Sequence, residues 1–98
     1  MRRPFFVLPA ARDDIAAAAH WYDSGRSGLG EDFLDSIEEL LLRIAEAPQQ
    51  FPEIQSDVRR GLTRRFPYGI YFLTTDARVD VLAVIHLHRD PEAWKRGK

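Results

Sequence analysis

Two short runs near the C-terminal end, Ile70-Tyr71-Phe72-Leu73 and Val79-Asp80-Val81-Leu82-Ala83-Val84-Ile85, most restrict what this chain can fold into. Both are dense in β-branched and aromatic side chains, the kind that fit a pleated, half-buried surface. Each predicts a strand. The segment Thr74 to Arg78 between them is short and polar and lacks the Asn-Gly pair of a two-residue hairpin, so a looser turn is expected there. Upstream, Pro67 cannot donate to a ladder and Gly69 frees the backbone, so Pro67 and Tyr68-Gly69 predict another turn. The stretch from Val58 to Pro91 thus reads as a three-strand antiparallel meander. Period-two alternation in the last strand sends Val79, Val81, Ala83, Ile85 and Leu87 to one face, assigned to the core. Asp80, Leu82, Val84, His86 and His88 go to the other.

The first half of the chain reads as scaffold for that sheet. Pro4 to Leu8 is a short apolar strand candidate that ends at Pro9 and is expected to pair with the meander. From Ala10 to Ser24, Ile15, Ala18, Ala19 and Tyr22 recur at helical spacing, with Asp13 and Asp14 near the positive end of the dipole. Gly25, Gly28 and Gly30 break this first helix. From Gly30 to Ala47, the series Phe33, Ile37, Leu40, Leu41 and Ile44 predicts a second helix, acidic on its opposite face and stopped by Pro48. The pair is expected as a hairpin packed on the sheet. Gln49 to Ser56 reads as an irregular connection, and the tail from Pro91 to Lys98 as one helical turn around Trp94 followed by a basic run.

At 98 residues the chain is long enough for one core, which predicts a single domain over residues 1–98. With 30% charged and 45% hydrophobic residues, it has neither the composition of a disordered chain nor an apolar run long enough to span a membrane. The basic start, Met1-Arg2-Arg3-Pro4, is followed by too few apolar residues for a signal-peptide core. The absence of cysteine excludes disulfides and thiolate chemistry and fits a reducing compartment, so the cytoplasm is the expected location. The net charge of −1 hides an uneven division. Residues 1–50 hold five Arg against nine acids, whereas residues 51–98 hold nine Arg and Lys against six.

Candidate chemistry lies in that basic half. Arg59, Arg60, Arg64 and Arg65 fall within seven residues, and the guanidinium fork holds phosphates or carboxylates in bidentate fashion. A solvated strand face is the alternative reading. His86 and His88, two apart, precede Arg89 and Asp90, so imidazole, guanidinium and carboxylate groups can converge at a strand end. His20 is the sole other histidine, too little for a metal site, and no cofactor is expected. Either His86 or His88 suits general acid–base work near neutral pH. The alternative is one hydrogen-bonded and one exposed histidine without a catalytic role. Trp94 is a candidate to stack on a partner or to seal the sheet end. The glycines at positions 25, 28 and 30 join two helices and follow no strand, which argues against a phosphate-binding loop.

In their order, strand, helical hairpin and meander, these elements resemble the RelE/ParE superfamily of toxins from bacterial type II toxin–antitoxin systems, an α+β fold. Ala11, Asp14-Ile15 and Trp21-Tyr22 are similar to the family's first helix. Phe33, Ile37 and Leu41, with Pro48 and Pro52, are similar to its second helix and loop. Arg65-Phe66-Pro67-Tyr68 and Ile70-Tyr71-Phe72 resemble its basic strand and turn, and Val81 to His86 with Arg89-Asp90-Pro91 and Trp94 its closing strand and tail.

The resemblance implies a cytoplasmic growth inhibitor of plasmid-stabilisation type, in a hetero-oligomer with a cognate antitoxin and with no membrane partner. RelE-like members cut ribosome-bound messenger RNA with basic residues and commonly a C-terminal tyrosine, whereas ParE-like members poison DNA gyrase. Here Leu87 stands where the nuclease pattern tends to place arginine, Trp94 where it has tyrosine, and the meander has no lysine. The ending His86-Leu87-His88-Arg89-Asp90-Pro91 is closer to the ParE-like pattern. The expectation is a gyrase-directed binder rather than an enzyme, its target face built from Arg59, Arg60, Arg64, Arg65, His86, His88, Arg89 and Trp94. A ribosome-dependent endoribonuclease using His86, His88 and Arg89 is the alternative. A non-toxic structural partner is the second.

Overall fold

The computed structural model describes residues 2–89 and 93–97, without the side chains of residues 96 and 97. Asp90 and Pro91, read above as part of the closing motif, and Lys98 of the basic tail lie outside the described residues. Strand β1 (Phe5–Val7) leads into helix α1 (Pro9–Gly25), whose first turn accepts proline because its N–H would be unpaired there anyway. Gly28, in the left-handed region at φ 90°, caps the start of α2 (Leu29–Glu46). Asp23 Oδ1 accepts from the Gly28 and Gly30 amides at 3.0 and 3.1 Å, satisfying N–H groups that the second helix cannot pair internally.

After a 3₁₀ turn (Pro48–Gln50) come β2 (Glu53–Gln55), β3 (Val58–Leu62), β4 (Tyr68–Thr74) and β5 (Val79–His86), and a second 3₁₀ turn spans Ala93–Gly97. The five strands form one sheet in the order β1-β5-β4-β3-β2. β1 runs parallel to β5, with Phe5 opposite Val79, and the other pairings are antiparallel. The expected α+β fold, with its N-terminal strand, helical hairpin and meander, is what forms.

Three expectations need correction. Gln49 to Ser56 is not wholly irregular, because Glu53–Gln55 adds a strand beside β3. The turn before β4 lies upstream of Tyr68-Gly69, which are already in the strand; Thr63 closes it by donating, its backbone N–H to the Tyr68 carbonyl and its hydroxyl to the Phe66 and Tyr68 carbonyls. Strict alternation in β5 also fails. Tyr71 faces Ala83 while the next residue, Phe72, faces Val81, so Leu82 is an extra residue that bulges the strand. The bulge exchanges the faces. Val79 and Val81 pack under the helices as expected, but Ala83 and Ile85 pass to the opposite side, and Val84 joins the helix side.

The sheet therefore buries residues on both faces. On one, Phe33, Ile37, Leu40 and Ile44 of α2 meet Ile70, Phe72, Val79 and Val81. On the other, Val58, Tyr71, Leu82, Ala83 and Ile85 cluster with Trp94, whose indole stacks on the Tyr71 ring at 5.7 Å and 8°. The short C-terminal turn covers that second cluster, so the tail completes a core.

Candidate functional site

The bulge at Leu82 sets the direction of everything after it. His86 closes β5 opposite Tyr68, on the helix side of the sheet. β1 pairs only with residues 79–81, so the N–H of Val84 needs another acceptor, and Asp14 Oδ2 of α1 supplies it at 3.0 Å. A groove of about 290 Å³ results between α1 and the end of β5. Asp14, Ala17 and Trp21 line it from the helix, Tyr68 from β4, and His86 and Arg89 from the strand end.

Arg89 ties this groove together. Its Nη2 donates to the Tyr68 hydroxyl at 3.1 Å, and its guanidinium lies 5.3 Å from the centre of the Trp21 ring, within cation–π range. The Tyr68 and His86 rings are 5.2 Å apart edge to face, and the His86 and His88 rings 5.8 Å apart. The His88 backbone N–H donates to His86 Nδ1 at 3.1 Å, so a neutral His86 carries its proton on Nε2. Burial first, then the charges of Arg89 and His88, push the His86 pKa below its ordinary 6.5. Tyr22, half-buried and edge to face with Tyr68 in the same aromatic row, is raised above 10.0 by burial and by Tyr68, against a lowering pull from Arg89. At neutral pH the groove offers one fixed cation, one imidazole N–H and an indole surface.

The β3 arginines do not form one cluster. Arg59 is half-buried on the helix side, donating to the Phe51 carbonyl at 2.6 Å and lying 3.5 Å from Glu53. Arg60 opposes Tyr71 and so points to the other face. Arg64 and Arg65 sit in the turn before β4, where Arg64 lies 3.9 Å from Glu39 and Arg65 3.2 Å from Asp32. Acids of α2 thus take up two of the four charges, although such exposed pairs contribute only about 0–1 kcal/mol. Trp94, expected on the target face, is 4% exposed and belongs to the second core. No three His, Cys, Asp or Glu side chains among the described residues converge as metal ligands.

Sequence reasoning singled out His86, His88 and Arg89 but missed Tyr68 and Asp14 and gave Trp21 no role of its own. Trp21 follows the buried Ala18 by three positions, at the rim of the helix's packed stripe, and is 59% exposed. An exposed indole at such a rim position was the available signal.

The family described as ParE toxin of type II toxin-antitoxin system, parDE, matches residues 6–91, almost the whole fold from β1 to the end of the groove. The chain belongs to this ParE toxin family. It is 29% identical over 94 residues to Toxin ParE2 of Mycobacterium tuberculosis, in each of two strains, covering 95% of this chain and 90% of the relative. A solved structure titled as a chromosomal ParDE TA system from P. aeruginosa superposes with a TM-score of 0.72 at 18% identity, covering 87% of this chain and 96% of that one. That likeness establishes a shared fold. No helix among the described residues is long and apolar enough to cross a membrane.

Proposed function

We propose that this ParE-family chain is a cytoplasmic growth inhibitor that acts by binding DNA gyrase and is neutralised by a cognate antitoxin. Family membership over residues 6–91 supports the toxin role. The observation that favours binding over RNA cleavage is the state of His86. Its Nδ1 lone pair is engaged by the His88 amide, which leaves the neutral ring an Nε2–H donor and no free lone pair to act as a base. Arg89 beside it holds an exposed cation over Trp21, the arrangement of a recognition surface. Arg60, on the opposite sheet face, would belong to a second contact.

Induced expression tests this reading. Growth should stop when the chain is made alone and resume when its cognate antitoxin is co-expressed. Primer extension on cellular messages should show no new ends within codons. Arrest accompanied by such ends, and abolished in His86→Ala, would replace gyrase binding with ribosome-dependent cleavage.

A further inference from the structure

The groove between α1 and β5 is charged at one end and apolar along its wall. Arg89 makes one hydrogen bond among the described residues, to the Tyr68 hydroxyl, and no ion pair with a described carboxylate. By contrast, Arg59, Arg64, Arg65 and Arg78 all lie within 4 Å of an acid. Asp14 holds the Val84 amide on the helix side of the groove, and Trp21 leaves more than half its surface open beside the Arg89 guanidinium.

We propose that this groove is a binding pocket for a protein segment in which a carboxylate side chain adjoins an aromatic or long apolar one. The carboxylate pairs with Arg89 guanidinium donors that take no partner among the described residues and with the His86 Nε2–H, in charge-assisted hydrogen bonds. The neighbouring apolar side chain covers Trp21. At about 290 Å³ the groove has room for one anchoring side chain and lies at the lower limit of pockets that hold small ligands. A nucleic-acid backbone fits it poorly, because successive phosphates need a row of unpaired cations. Here the arginines of the β3–β4 turn already face acids of α2. The proposal names the chemistry of a partner at the Arg89 end of the face, and it rests on the proposed function only in taking that partner to be a protein.

The test is a nuclear magnetic resonance titration of the full chain with N-acetyl-aspartyl-phenylalanine amide, following the Trp21 indole and the His86 ring. Both should shift saturably. The asparaginyl peptide should bind several-fold more weakly, and Arg89→Gln should weaken the aspartyl peptide roughly tenfold, as expected for a lost charge-assisted bond. Arg89→Lys, which keeps the charge without the fork, should fall between, and resonances of the α2 core should stay in place in both variants to show that the fold is intact. Equal binding of the two peptides, absence of saturation, or tighter binding of inorganic phosphate or a short oligonucleotide at the same resonances would overturn the proposal. The titration needs neither gyrase nor antitoxin. A chain that arrests growth but fails here loses the pocket alone, and one that binds here without arresting growth loses the toxin reading alone.

Discussion

Arg89 acts on three neighbours from one position: it donates to Tyr68, lies over Trp21 and lowers the pKa of His86. Its side chain is exposed, so removing it should cost the fold little, within about 0.5 kcal/mol. Arg89→Ala should therefore relieve growth arrest while leaving the thermal midpoint nearly unchanged. Arrest that persists in Arg60→Ala, Arg65→Ala and Arg89→Ala alike would remove these arginines from the mechanism. His86 makes a separate prediction about pH. Its folded pKa lies below 6.5, so just under pH 6.5 the unfolded chain binds more protons than the folded one. Stability should fall as pH drops through 6.5 and level off once the folded imidazole is also protonated. Thermal midpoints between pH 7.5 and 5 should show this slope, and His86→Gln should flatten it.

At the scale of elements, two contacts hold the groove's frame. Gly30 lets α2 approach α1 so closely that an added Cβ would meet the Ala19 carbonyl oxygen at 2.6 Å. Gly30→Ala should destabilise the hairpin by about 1–3 kcal/mol through overpacking, measurable by urea unfolding. Asp14 accepts the Val84 amide that β1 is too short to pair. Asp14→Ala should cost about 1–3 kcal/mol, with Asp14→Asn, which keeps an acceptor, losing less. Both helices were legible from sequence, because Ile15, Ala18, Ala19 and Tyr22 in the first and Phe33, Ile37, Leu40, Leu41 and Ile44 in the second recur at helical spacing. The bulge was not. Val81, Leu82, Ala83, Val84 and Ile85 are all apolar, so an inserted residue leaves no mark on the pattern, and the side assigned to His86 reversed with it. β2, three residues long with one apolar side chain, carries too little periodicity to read.

At the scale of the molecule, the sheet has a core on each face, and the C-terminal turn closes the second one through Trp94 and Tyr71. Trp94→Ala should thus behave as a core truncation, costing about 3–5 kcal/mol in unfolding experiments. The order of strand, hairpin and meander was visible in the chain because each segment carries its own period or composition. The groove was visible only in part. His86, His88 and Arg89 adjoin in sequence, whereas Asp14 and Trp21 reach them through the packing of α1 on β5, and Tyr68 through the pairing of β4 with β5. Membership of the ParE toxin family ties this architecture to toxins of type II toxin–antitoxin systems, and the function proposed above has the groove recognise a protein. The most direct test is a supercoiling assay with purified gyrase and the purified chain. The account predicts dose-dependent inhibition that weakens in Arg89→Ala; full supercoiling activity at concentrations that arrest growth would contradict it.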